Sequence, residues 1–152
     1  MSETTTHLVL GKPVTMPVQV RTATAFMGMF SVPVRAAQEL VAHTGLEILQ
    51  YRPGHGICTL VFVDYVDGDL GPYNEFGVCF LVRNHRNRGD GTRCTTWEMN
   101  PSGVRTRLGG ATLRLGTHPI ADELRSLGLP RRALASSSIP DLRMTFGDAT
   151  VV

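Results

Sequence analysis

Ile57–Val66 reads ICTLVFVDYV, a run nearly continuous in β-branched and aromatic residues. A run of this kind is a strand buried on both faces, so the chain must build a sheet around it. A second strong strand is expected at Phe76–Val82, after a turn cluster at Asp67–Pro72. Shorter strands are expected at Leu46–Tyr51, Thr92–Met99, Val104–Leu108 and Ala111–Leu115, divided by Gly and Pro turns. Val14–Ala25, which contains Pro17, reads as an irregular or edge strand, and Phe26–Val32 as a separate apolar run. Leu142–Phe146 and Ala149–Val152 read as two arms of a hairpin around Gly147-Asp148.

Two helices are expected. Pro33 suits the first turn of one, where its missing N–H costs nothing. Val34, Ala37, Leu40 and Val41 then share a face, and Gly45 ends it. The second is expected over Pro119–Leu127, with Thr117 near its cap, Asp122 and Glu123 in its first turns and Gly128 at its end. Strands with two short helices make an α+β chain with a mostly antiparallel sheet that closes into a barrel. The 152 residues suffice for one core, so residues 1–13 read as a loose lead-in and 14–152 as one domain. The chain stops within a strand-like run at Val152, as though a neighbour completes that strand or the sequence is truncated.

Composition excludes several classes. The formal net charge is only +2, so nothing points to nucleic acid. No window approaches 18 consecutive apolar residues, and Met1–Thr6 lacks the basic and apolar blocks of a signal peptide. A cytoplasmic protein away from the membrane is therefore expected. Cys58, Cys79 and Cys94 contain no C-x-x-C, and the five His are scattered, so no metal and no cofactor are expected. Cys58 and Cys79 read as small core residues. A Cys94–His85 thiol site has nothing to fix its geometry. The 15 basic residues comprise 14 Arg and the single Lys12, which leaves almost no side-chain amine for covalent chemistry.

Glu75 stands at the entry to an apolar strand, between Tyr73 and Phe76. A carboxylate there is expected to be partly desolvated, which suits it to proton transfer. Arg131 and Arg132 follow Pro130, where a fixed backbone lets paired guanidinium groups clamp a carboxylate.

The order of these motifs resembles the acetoacetate decarboxylase superfamily. The segment from Gly71 to Val78 (GPYNEFGV), set between two apolar strands, is similar to the Gly-(Pro)-Tyr-x-Glu segment of that family. Residues 121–132 (ADELRSLGLPRR) resemble its helix running into an aromatic-Gly-aromatic-Pro-Lys segment. The resemblance covers about residues 14–146. It implies a cone-like β-barrel with flanking helices, an oligomer, and chemistry on small β-keto acids through a lysine imine. It places the pocket carboxylate at Glu75, the imine lysine at Arg131 and its neighbouring cation at Arg132. A second acid falls near Leu60 and is absent, and Arg21 is a loose counterpart of the family's pocket arginine.

Arginine stays charged to pH 12 or above, so its neutral fraction at pH 7 is on the order of one in 10⁵ or less. It cannot form a productive imine. The resemblance then leaves two functions. One is a diverged lyase, cyclase or dehydratase acting on a small keto or polyketide-like acid, with Glu75 and Arg131 catalytic and Arg132, Tyr73 and Arg21 binding the substrate. The other is an inactive ligand-binding or assembly module on the same fold.

Overall fold

The computed structural model describes residues 4–83, 95–108 and 111–151, without the side chains of 95–108 and 149–151. The expectations for His85 and Cys94, for the start of the Thr92–Met99 strand and for Val152 lie outside the described residues. In chain order the strands are β1 (Thr5–Val9), β2 (Lys12–Met16), β3 (Val18–Pro33), β4 (Glu47–Ile48), β5 (Gln50–Arg52), β6 (His55–Gly68), β7 (Tyr73–Phe80), β8 (Val82–Arg83), β9 (Thr95–Leu108) and β10 (Ala135–Val151). The helices are α1 (Val34–Val41) and α2 (Pro119–Ser126). The main sheet runs β7–β6–β3–β10–β9, with β5 also on β6, and every described pairing is antiparallel. It curls strongly into a half-barrel with β7 and β9 at its two ends.

Three strands are longer than the sequence suggests. Phe26–Val32 continues the strand that begins at Val18, because β3 pairs with β6 from Val20 to Pro33 and the shifts near Thr22 absorb the irregularity. The segments on either side of Pro101–Gly103 form the single strand β9, held along its length by β10. Gly147-Asp148 is no hairpin turn. Both residues lie inside β10, where a register shift between Phe146 and Ala149 takes up the extra length. Ala111–Leu115 is not a strand.

Residues 5–16 are no loose lead-in. β1 and β2 form a hairpin in which Val9 faces Lys12 across a two-residue turn. Leu10 and Gly11 both take positive φ, at 50° and 77°, the geometry whose twist matches a tight hairpin.

The helices behave as their patterns require. Ala37 of α1 is fully buried, and Val34, Leu40 and Val41 pack beside it. Gly45, at φ 69°, closes the following 3-10 turn. Gln38 binds that turn to the sheet: its Nε2 donates to the Leu46 carbonyl at 2.8 Å, and its Oε1 accepts from the Ile48 N–H at 2.9 Å. At α2 the cap is His118 rather than Thr117. Its Nδ1 accepts the Ile120 N–H at 3.2 Å, while Pro119 opens the helix.

Alternation along β3 and β6 separates two cores. Phe30, Val32, Cys58 and Leu60 pack with Leu124, Leu127 and Leu129 of α2 and its C-terminal extension. Ala23, Ala25, Val63 and Tyr65 face the other way and pack with Ile139, Leu142 and Met144 of β10. The run at Ile57–Val66 is thus fully buried on one face at a time: Ile57, Thr59 and Val61 are half-buried beside the buried Cys58 and Leu60, and Phe62 and Val66 are 42% and 51% exposed. Cys79 is exposed because β7 is an end strand, whereas burial pushes the Cys58 thiol up to about 12 and keeps it unreactive.

Candidate functional site

Strand register assembles the site. On β7, Tyr73 and Glu75 point to the same face because side chains alternate with a period of two. Across the ladder Tyr73 faces Tyr65 and Glu75 faces Val63. Tyr65 is 5% exposed, and its ring stacks on that of Tyr73 at 4.4 Å with 21° between planes. Tyr65 interacts electrostatically with both Glu75 and Tyr73. Burial raises the Tyr65 phenol well above its ordinary range, and the nearby Glu75 charge adds to the shift. Tyr73 is raised for the same two reasons, burial before charge.

These three residues line one open cavity of about 730 Å³. Its floor also holds Val18, Leu70 and Phe146, and its outer wall is one face of the β1–β2 hairpin, with Thr5, His7, Val9, Val14 and Met16. A neighbouring cleft of about 600 Å³, along Phe26, Phe62, Phe76 and Ser138, also borders Glu75. Glu75 is exposed rather than partly desolvated, because β7 ends the described sheet and leaves its flank uncovered.

The other sequence-derived candidates lie elsewhere. Arg21 is held by two carboxylates: its Nε and Nη2 donate to Asp67 at 2.8 and 2.9 Å, and its Nη1 to Asp69 at 2.6 Å. Its charge is thereby matched within the protein, and both acids are held below the usual carboxylate range. Arg131 is exposed, and its Nε donates to the Gly128 carbonyl at 3.1 Å. Neither cavity that Glu75 borders is lined by Arg131, Arg132 or Arg21. Tyr65 and His7 escaped the sequence reading. Tyr65 lies across a hairpin of unknown register, and the alternating Thr5, His7 and Val9 were the only signal for the cavity's outer wall.

Among the described residues no group of three or more His, Cys, Asp or Glu side chains is placed to hold a metal ion. No helix among them is long and apolar enough to cross a membrane.

The described residues thus form an α+β fold with a curled antiparallel half-barrel, and a carboxylate and two phenols border one of its cavities. The family model described as acetoacetate decarboxylase (ADC) matches residues 10–94, more than half of the chain, and the chain belongs to that family. The match includes Tyr65, Tyr73 and Glu75 and stops before Arg131. No curated protein and no solved structure matches the chain.

Proposed function

We propose that the chain is an enzyme acting on a small keto or polyketide-like acid by proton transfer, without an imine. Glu75 is the acid–base residue, and the Tyr73 and Tyr65 hydroxyls beside it donate to a ligand oxygen. The observation that carries this is the placement of Glu75 beside two phenols kept protonated, in a cavity large enough for a small organic acid. The choice of a scheme without an imine rests on the sequence: the single lysine is Lys12, and the family's lysine position, by resemblance, holds Arg131. Arg21, Arg131 and Arg132 have no step in this scheme, because other contacts hold Arg21 and neither Glu75 cavity is lined by any of them. Aldol-type cyclisation and loss of water from a 3-hydroxy carbonyl compound both begin with such a proton transfer next to a carbonyl.

The test is hydrogen–deuterium exchange at the carbon next to the carbonyl in a panel of 3-oxo acids, followed by NMR in D₂O. Wild-type protein accelerates exchange for at least one member. Glu75→Gln lowers the rate by about 10²–10⁴-fold, the usual worth of a positioned acid–base group. Full retention in the variant would sink the assignment.

A ligand-binding module is the second reading, favoured by the exposure of Glu75 and by the position of Arg21, Arg131 and Arg132 outside the lining of both its cavities. It predicts that a 3-oxo acid raises the melting temperature while no exchange is catalysed.

A further inference from the structure

The N-terminal hairpin carries a titratable group that the Glu75 scheme leaves unused. Thr5, His7 and Val9 alternate along β1 onto the cavity side, and their cross-strand neighbours Met16 and Val14 extend the same face. Leu8 and Leu10 point away and are 76% and 99% exposed. His7 Nε2 meets Asp148 Oδ1 at 2.7 Å, and the Thr5 hydroxyl donates to the other oxygen of Asp148. Asp148 sits in the irregular stretch of β10 where the register shifts, on the wall of the same cavity. The Thr5 and His7 hydrogen bonds hold its carboxyl below the usual range, so it is ionised at neutral pH. A carboxylate bound to one ring nitrogen fixes the orientation of an imidazole and assigns the other nitrogen to a ligand.

We propose that His7, positioned by Asp148 and Thr5, is the second acid–base residue of the Glu75 cavity, brought to it by the β1–β2 hairpin. The inference rests on the Glu75 reading and supplies what that reading lacks, a proton donor on the opposite wall. The ligand is a carboxylic acid with a carbonyl next to an acidic C–H. Glu75 takes the proton as the C–H bond breaks, and that electron pair becomes the enol double bond. The carbonyl π pair moves to oxygen, which takes the Nδ1 proton of the His7 imidazolium, while Nε2–H stays on Asp148. Reversal restores both residues, and exchange of the Glu75 proton with water supplies the deuterium. The titratable groups facing His7 across this cavity are Asp148 from β10, Tyr65 from β6, and Tyr73 and Glu75 from β7.

The experiment combines binding with rate. Acetoacetate is titrated into wild-type protein and into Glu75→Gln, which is impaired in turnover, while the ring signals of His7, Tyr65 and Tyr73 are followed by NMR. His7→Gln assigns the imidazole signals. All three rings are expected to shift in both proteins. In the exchange assay His7→Gln is expected to lose about 10²-fold or more and to lose the alkaline limb of the pH–rate profile. Asp148→Asn keeps the imidazole and is expected to lose less while moving that limb. If the tyrosine rings shift and His7 does not, or if His7→Gln keeps the alkaline limb, the His7 proposal is overturned and Glu75 stands. If no ring shifts, the Glu75 cavity is not the binding site and both proposals fall.

Discussion

The Tyr65 and Tyr73 rings stack at 4.4 Å across the β6–β7 ladder, and Glu75 lies two residues beyond Tyr73 on the same face of β7. Both phenols are raised, by burial first and by the Glu75 charge second. A phenol whose folded value lies above its unfolded value stabilises the fold fully below about pH 10, and that stability is lost as pH rises through the folded value. Absorbance titration of the three tyrosines is expected to show components above the ordinary phenol range. Tyr65→Phe removes one of them and flattens the alkaline loss of stability. A wild-type titration in which all three phenols ionise together near pH 10 contradicts the placement of Tyr65.

Arg21 joins the start of β3 to the end of β6 through Asp67 and Asp69, while Asp69 also accepts the Gln19 N–H at 2.8 Å. For Asp69 the Gln19 bond is the larger cause of the lowered value, and for Asp67 the Arg21 bond is. A carboxylate lowered in the folded state stabilises it above the unfolded value, near 3.9, and loses this as pH falls through the folded value. Arg21→Met is therefore expected to weaken the dependence of the melting temperature on pH below about 4. The three side chains are close to half exposed, so the difference between variant and wild type shrinks in high salt. An unchanged acid limb at low salt would show that the clamp contributes nothing.

Elements with one dominant signal were legible in the sequence. The apolar stripe of α1, the Pro119 start of α2 and the long run in β6 each point one way. The misread strands carry local turn chemistry that long-range pairing overrides. Pro101 and Gly103 break β9 on paper, but β10 supplies a ladder partner along its length. Gly147-Asp148 reads as a turn, yet β9 and β3 on either side of β10 draw it into the sheet as an irregularity. At the site, Tyr73 and Glu75 were legible because residues two apart on a strand share a face. Tyr65 and His7 needed the register of two hairpins, and turn positions alone did not give it.

Leu60 is 1% exposed and joins β6 to α2 and the residues after it through Leu124, Leu127 and Leu129. Leu60→Ala removes buried methyl groups where sheet and helix meet, and is expected to cost about 2–5 kcal/mol. Urea unfolding is the direct measurement, with a lower midpoint and an unchanged slope. Tyr65 lies in the other core, so any surviving folded protein is expected to keep its tyrosine titration.

Gly68 ends β6 where the chain passes closest to β3. A β-carbon there would lie 2.9 Å from the Gln19 carbonyl oxygen, a backbone atom that also holds the Asp69 N–H at 3.0 Å. The oxygen cannot rotate away as a side chain would, so relief requires moving β3 or breaking that bond. Gly68→Ala is expected to cost about 1–3 kcal/mol, as overpacking usually does. Gly71 is the control: it has positive φ but nothing within 4 Å of an added β-carbon, so Gly71→Ala tests backbone strain without a clash. Because Gly68 lies beside Arg21, Asp67 and Asp69, its substitution is also expected to disturb their ion pairs. Combining Gly68→Ala with Arg21→Met is therefore expected to cost less than the sum of the two single changes. Strict additivity in thermal unfolding would show that the close approach of the strands and the Arg21 clamp are independent.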